Sequence, residues 1–460
     1  MVFTGEDLAK WTDGYWKDDI PSKIEGLFFD TRIIEPKSLF IALSYGVRDG
    51  HDFVKHAAEQ GASACMVEKS LAVGIPQLIV EDSLQALADI ARAIRDGFAN
   101  PVVGITGSCG KTSTKAMLKK VLGSGQTHAT KGNWNNCLGV SLTLVELASE
   151  RYAYSVVEAG ISERGEMSVL SSIIRPNICL FTNIGEAHLE GFGTVDLIAE
   201  EKSKLLESAE QCALVVAPKA VLDRSAFENY RRDAVAIVKG SPETNSYYKN
   251  VYGYKWAELD DHSANVSLFC GDQKYKYHLK SLSEGIIQNS VLAVVTAIEM
   301  NVDSGQIIEG IESWKPVSGR GTIIPLSTSD KGFIYQDSYN ANPTSMLDSL
   351  RAFEMASKDC EQRLYVLGIM NELGENAGSF HESITKTLKP RKGDRLILIG
   401  DSELTEAYKK GAKSAGWDDS MLESFLAIEL CKIDFSQYKG AIFLKGSRSC
   451  QLEALIPMFH

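Results

Sequence analysis

Gly104-Ile105-Thr106-Gly107-Ser108-Cys109-Gly110-Lys111-Thr112-Ser113-Thr114 is the stretch on which the reading of this chain turns. The apolar run Pro101-Val102-Val103 before it reads as a buried strand, and Lys115-Ala116-Met117-Leu118-Lys119-Lys120-Val121-Leu122 after it has helical periodicity. A glycine-rich turn between strand and helix lets backbone N–H groups converge on an anion. Lys111 can then reach terminal phosphate oxygens, and the Thr112 hydroxyl can ligate Mg²⁺. The usual spacing would put the first glycine at 105, where this chain has Ile105; Gly104 and Gly107 stand on either side instead. A plain tight turn explains one or two glycines but not the Gly110-Lys111-Thr112 sequel. The stretch predicts a phosphate-binding loop.

The chain has 460 residues, 44% hydrophobic and 23% charged. That length suggests two to four domains, with three expected, and the composition is that of a globular protein able to bury large cores. A net charge of −12 argues against broad binding to nucleic acid or to anionic membrane. Nine cysteines are scattered singly, without a C-x-x-C pair. An odd number cannot all pair within one chain, so a reduced, cytoplasmic setting is expected, and no metal site is built from them. Cys109 reads either as a small tolerated residue of the loop or as an oxidisable thiol. The N-terminus lacks a basic region followed by an apolar stretch, and no run approaches the ~18 apolar residues of a membrane span. No stable membrane insertion is expected.

Short apolar strands alternate with helical stretches, the rhythm of an α/β protein with parallel sheets. Strands are predicted at Ser38–Ala42, Gln77–Val80, Thr127–Thr130, Tyr154–Val157, Ile178–Phe181, Ala213–Val216, Phe333–Gln336, Leu364–Leu367, Leu396–Ile399 and Ala441–Leu444. A helix is read over Asp82–Phe98, and Asn100-Pro101 after it marks a boundary. A second helix spans about Gly285–Met300. Gly319-Arg320-Gly321 then permits a bend. The expected domains are 1–99, 100–316 and 317–460. Glu243–Lys280, with alternating apolar residues, reads as an antiparallel patch on the second domain.

Three charged side chains are candidates for metal or catalytic work. Glu158 ends the strand that begins at Tyr154, and ligands gather at the carboxyl ends of strands in open α/β sheets; it reads as a Mg²⁺ ligand or as a solvated loop carboxylate. His188 follows the strand at Ile178 and reads as a catalytic or metal-binding imidazole or as a satisfied surface residue. Lys202, in Glu200-Glu201-Lys202-Ser203-Lys204, reads from composition as one charge on a solvated helix face. The amide-rich turns Gly132-Asn133-Trp134-Asn135-Asn136 and Asp337-Ser338-Tyr339-Asn340-Ala341-Asn342-Pro343 are weak signals individually.

Together with Asn183-Ile184-Gly185-Glu186-Ala187-His188-Leu189-Glu190-Gly191-Phe192-Gly193 and Lys445-Gly446-Ser447-Arg448-Ser449, these elements occur in an order that resembles the Mur ligases over nearly the whole chain. The Ser338–Pro343 element and Glu372-Leu373-Gly374 resemble the branch that adds a dipeptide. The resemblance implies a smaller α/β N-terminal domain for a UDP-sugar, a central P-loop parallel-sheet ATPase domain and a mobile Rossmann-like C-terminal domain. It implies an ATP-dependent ligase joining D-alanyl-D-alanine to UDP-N-acetylmuramoyl-tripeptide, acting as a monomer in the cytoplasm, in the making of peptidoglycan precursors. By the same likeness Thr106, Gly107, Ser108, Cys109, Gly110, Lys111, Thr112 and Ser113 hold ATP, joined by Asn289, Arg320 and Asp337. Thr112, Glu158, His188 and Lys202 hold Mg²⁺, with Lys202 carbamylated, and Lys111, His188 and Lys202 form the catalytic set. Asp30, Thr31, Arg32, Asn135 and Asn136 contact the UDP-substrate, and Asn340 and Asn342 serve the dipeptide or domain closure. The chain departs from the family at Gln288-Asn289-Ser290-Val291-Leu292, which lacks a second Asn for adenine, and at Ile369, where relatives often carry Asp. Two other readings stay open: a Mur-type ligase adding a single amino acid, and a P-loop module in which ATP hydrolysis moves domains without ligation.

Overall fold

Residues on alternate sides of each central strand enter two different cores, which is what a parallel sheet covered by helices on both faces demands. Val102, Val157, Cys179, Phe181 and Val215 face one apolar cluster, and Val103, Ile105, Val156, Leu180 and Val216 face another. The computed structural model describes residues 2–45, 48–149, 151–210, 213–242, 247–327, 331–428 and 438–459. Three large sheets carry the chain.

The first sheet is five-stranded, ordered Tyr15–Lys17, Gln77–Ile79, Ala64–Val67, Leu39–Ile41, Leu27–Phe28. All its pairings are parallel except that of Tyr15–Lys17. The following helix, Ser83–Gly97, is capped by the Asp82 carboxylate, which accepts from the Gln85 N–H at 2.8 Å. Its Ala86, Ile90 and Ile94 belong to the same apolar cluster as the central sheet. Arg95 of this helix is buried and donates to the carbonyls of Ile174 and Arg175 at 2.9 and 2.7 Å, fastening the first sheet's helix to the central layer.

The central sheet has nine strands. Seven are parallel, in the order Asn250–Leu259, Ala234–Lys239, Leu214–Pro218, Ile178–Phe181, Val102–Thr106, Tyr154–Glu158, Thr127–Ala129. Ser263–Cys270 and Gln273–Leu279 extend it antiparallel beyond Asn250–Leu259. The antiparallel patch predicted over 243–280 is thus an extension of this sheet, and residues 243–246 of it lie outside the described residues. Val102–Thr106 lies between Tyr154–Glu158 and Ile178–Phe181, so the carboxyl ends of three neighbouring strands converge beside the glycine-rich loop that follows Thr106.

The third sheet runs Thr322–Pro325, Phe333–Gln336, Ala441–Lys445, Arg363–Gly368, Arg395–Ile399, Leu422–Phe425, with only the first pairing antiparallel. Its core is aromatic: Tyr335, Phe353, Tyr365 and Phe443 pack with ring centroids 5.2–6.3 Å apart. No helix among the described residues is long and apolar enough to cross a membrane.

Candidate active site

The strand Val102–Thr106 leads into Gly107–Gly110, and the helix Lys111–Val121 starts immediately after. Gly110 has φ of 85°, and a Cβ there would stand 2.6 Å from the Asn289 side chain; only glycine lets the loop lie against Asn289. The loop is braced from the next strand end. The Asn183 Oδ1 accepts from the Cys109 N–H at 2.9 Å, the Ser108 hydroxyl donates to the Gly185 carbonyl at 2.9 Å, and the Thr182 hydroxyl donates to the Cys109 carbonyl. Asn183-Ile184-Gly185, part of a longer motif in the sequence, is therefore the splint of the glycine-rich loop. Burial pushes the Cys109 thiol up, away from the thiolate that an oxidation-sensitive cysteine needs.

Lys111 folds back so that its Nζ donates to the Gly107 carbonyl at 2.7 Å. Burial lowers its pKa, while Glu158 opposes the shift. Glu158 is buried, and its carboxylate gathers several donors: the Thr112 hydroxyl at 3.2 and 3.1 Å, the Asn135 amide at 2.9 Å and the Lys115 ammonium at 2.9 Å. Burial opposes ionisation of Glu158, but Lys115 and Lys111 outweigh it and hold the carboxyl below its ordinary range. The solvated-loop reading of Glu158 fails because the strand carries it inward.

Lys202, near the end of the helix Val195–Ser203, is buried rather than solvated. Its Nζ has no hydrogen-bond partner, since the neighbouring Glu201 spends its oxygens on the Gly165 and Met167 N–H groups and on Lys204. Burial, followed by the nearby Lys111 charge, drives the Lys202 pKa well down. His188 sits in left-handed backbone at φ of 57°, and its Nδ1 pairs with the carboxylate of Glu372 from the third sheet's side. Glu372 is itself left-handed, at φ of 62°, and its carbonyl accepts from the Glu190 N–H at 3.1 Å.

A cavity of about 700 Å³ lies between the strand ends of the central and third sheets. It brings together Ser108–Ser113, Asn135, Asn136, Glu158, His188, Asn289, Arg320, Asp337, Asn340 and Asn342. Thr106, Gly107 and Lys202, like Asp30, Thr31 and Arg32, are not among its lining residues. Asp30 is engaged with Arg32 at 2.6 Å, and that pairing, with the Arg32 N–H, brings its pKa to about 2. Several predicted contacts also hold local structure. Asn136 caps the helix Cys137–Val145, Asn342 forms a capping box with Ser345 ahead of Pro343–Ala356, and Asp337 pairs with Lys445 at 2.6 Å. Arg320 lies over the Tyr339 ring, 4.0 Å from its centroid. At the Gln288 departure, Gln288 donates to the Thr182 carbonyl at 3.2 Å, and Leu292 is in the apolar core.

Two family models match the chain: the Mur ligase middle domain over residues 105–297 and the Mur ligase, glutamate ligase domain over residues 319–447. The UDP-N-acetylmuramoyl-tripeptide--D-alanyl-D-alanine ligase of Buchnera aphidicola subsp. Baizongia pistaciae is 31% identical, over 94% of this chain and 92% of its own length. The chain belongs to the Mur ligase family. The ligase of the same description from Escherichia coli K12 is 28% identical over 94% of this chain and 93% of its own. A crystal structure of MurF from Acinetobacter baumannii superposes with a TM-score of 0.85 at 27% identity, covering 100% of this chain and 99% of that one. MurF from Thermotoga maritima, solved in complex with ADP, shares the fold at a TM-score of 0.77 and 24% identity, with 95% and 97% covered.

Three side chains of this Mur ligase escaped the sequence reading. Lys115 lies one turn beyond Thr112 on the same helix face, a spacing that could have drawn attention to it. Asp348 is half-buried at the cavity where the two sheets' helices meet, accepting from the Ser283 hydroxyl at 2.5 Å and the Gly285 N–H at 3.2 Å. Burial raises its pKa. Glu372 was noted only as part of a motif, and nothing local in the sequence points it at His188.

Proposed function

We propose that this Mur ligase joins D-alanyl-D-alanine to UDP-N-acetylmuramoyl-tripeptide at the expense of ATP, in cytoplasmic peptidoglycan precursor synthesis. The observation that carries the reading is the cavity between two sets of strand ends, with the phosphate loop on one wall and Arg320, Asp337 and Asn340 on the other. The likeness along 94% of the chain to ligases of that description supports the choice of substrates. Residues 1–99 would hold the UDP-sugar near Asp30, Thr31 and Arg32, residues 100–316 the nucleotide, and residues 317–460 would close over both.

A carboxylate is a poor acyl donor because its oxygen leaves badly, and phosphorylation supplies a leaving group. The peptide carboxylate attacks the γ-phosphorus, the bond to ADP breaks, and an acyl phosphate forms. The dipeptide amine then attacks the acyl carbon, the C–O bond breaks, and phosphate departs with the electron pair while the amine loses a proton. Lys111 is poised to leave the Gly107 carbonyl for phosphate oxygens, supplying charge where it accumulates. Closure of the third domain over the cavity orders the reactants and keeps water from the acyl phosphate.

A hard divalent cation suits the donors present: the Thr112 hydroxyl and Glu158 carboxylate already face each other at 3.1 Å, with the His188 imidazole available at another strand end. Mg²⁺ bound there would screen the repulsion between carboxylate and triphosphate. The unpartnered, buried Nζ of Lys202, which burial pushes toward the neutral amine, supports its carbamylation. Neutral amine and CO₂ would form the carbamate with release of one proton, turning an unpartnered amine into an anionic oxygen ligand.

Omission assays test the function. Phosphate release should require ATP and both peptide substrates, one phosphate per amide; equal turnover without the peptides would favour the ATP-driven module. Lys202→Ala should lose activity and Lys202→Arg should not restore it, whereas a fully active alanine variant would remove the carbamate.

A further inference from the structure

Lys115 is a buried cation with two anchors on different segments. Its Nζ donates to the Gly132 carbonyl at 2.6 Å and pairs with Glu158 at 2.9 Å, and its side chain is 6% exposed. Gly132 opens the turn that carries Asn135, whose amide also reaches Glu158 and whose carbonyl accepts from the Gly160 N–H at 2.9 Å. On the turn's other side, Trp134 meets Phe29 edge-on at 6.2 Å. Phe29 directly precedes Asp30-Thr31-Arg32. A continuous set of contacts therefore runs from the first sheet, through Trp134 and Gly132, to Lys115, Glu158 and the Thr112 hydroxyl.

A buried ammonium that loses either anchor is left undersatisfied in a low-dielectric setting, so a shift of the 131–136 turn must be followed by the Glu158 carboxylate. We propose that Lys115 is a positioning residue that couples the seat of the UDP-substrate to the nucleotide and metal site, setting the Glu158 rotamer according to where that turn stands. The inference rests on the ligase reading above. Lys115 touches neither substrate; it acts through Glu158 and Gly132.

Two sites coupled in this way must tighten each other by the same factor. Isothermal titration calorimetry of Mg²⁺ with a non-hydrolysable ATP analogue, with and without saturating UDP-N-acetylmuramoyl-tripeptide, reads that factor directly. The wild-type chain should show at least about fivefold tightening, within the usual span of such couplings. Lys115→Met should bring the ratio clearly below the wild-type value while still binding each ligand, the direct Asn135 contact with Glu158 being left in place. Lys115→Gln, which keeps a donor for Gly132 but no charge for Glu158, carries the same expectation if the methionine variant does not fold. A variant that keeps the wild-type ratio, or a wild-type ratio of one, overturns the inference and leaves the ligase reading standing. A wild-type chain that binds neither ligand overturns both.

Discussion

Replacing Glu158 with glutamine removes the anion from beside Lys115 while keeping the shape of the side chain. The pair is almost fully buried, with side chains 6% and 1% exposed. Removing one partner of such a pair costs about 3–5 kcal/mol, because a buried charge is left uncompensated. Lys115 has one escape: it can fold as the neutral amine. That route costs about 1.4 kcal/mol for each unit by which the pH lies below the ordinary lysine pKa, so roughly 5 kcal/mol at pH 7 but only about 2 at pH 9. Burial already lowers the Lys115 pKa, and losing Glu158, which raises it, lowers it further. The sign follows: the unfolded variant binds a proton that the folded variant does not, so its stability rises with pH between the depressed folded pKa and the unfolded one. Glu158→Gln should therefore lower the unfolding midpoint by about 6–20 °C at pH 7 and by roughly half that at pH 9. Thermal unfolding of both proteins across this range is the assay. A deficit that does not shrink with pH, or one below about 1 kcal/mol at pH 7, would refute the reasoning.

Arg363 and Asp394 form another buried pair, with the Arg363 Nε donating to both carboxylate oxygens at 3.2 Å. Arg363→Met should destabilise the third sheet by about 3–5 kcal/mol, and adding Asp394→Asn should recover much of that in chemical denaturation. Asn342→Ala removes the side-chain half of a capping box and should cost about 1 kcal/mol in the same measurement, with Asn342→Asp close to wild type. Burial lowers the His188 pKa while Glu372 pulls it upward. An NMR titration of the imidazole should find a still lower pKa in Glu372→Ala, and an unchanged value would show that the pairing does not persist in solution.

Fully buried strands such as Ile178–Phe181 and Phe333–Gln336 were legible in the sequence to the residue, because a sheet covered on both faces leaves a near-continuous apolar run. Tyr15–Lys17 and Leu27–Phe28 were not read: the first is a mostly exposed edge strand that ends in a charge, and the two residues of the second carry no period. Thr322–Pro325 escaped because its proline suits only an edge strand, which is where it lies. At the site, the glycine-rich turn between strand and helix could be read from local spacing alone. Lys202 could not: among Glu200, Glu201 and Lys204 it looks solvated, and only the packing of its helix shows the ammonium buried without a partner. The contacts of Glu158 with Lys115 and of His188 with Glu372 join residues 43 and 184 positions apart, counted from the numbering. Local pattern says nothing about such pairs.

The acyl phosphate is the centre of the account, and isotope transfer tests it most directly. UDP-N-acetylmuramoyl-tripeptide labelled with ¹⁸O in its reacting carboxylate, turned over with ATP and D-alanyl-D-alanine, should deliver one labelled oxygen to each phosphate released, because the C–O bond that breaks holds a carboxylate oxygen. Phosphate without label, formed at the same rate, would mean that water attacks ATP and that no carboxylate is activated on this protein.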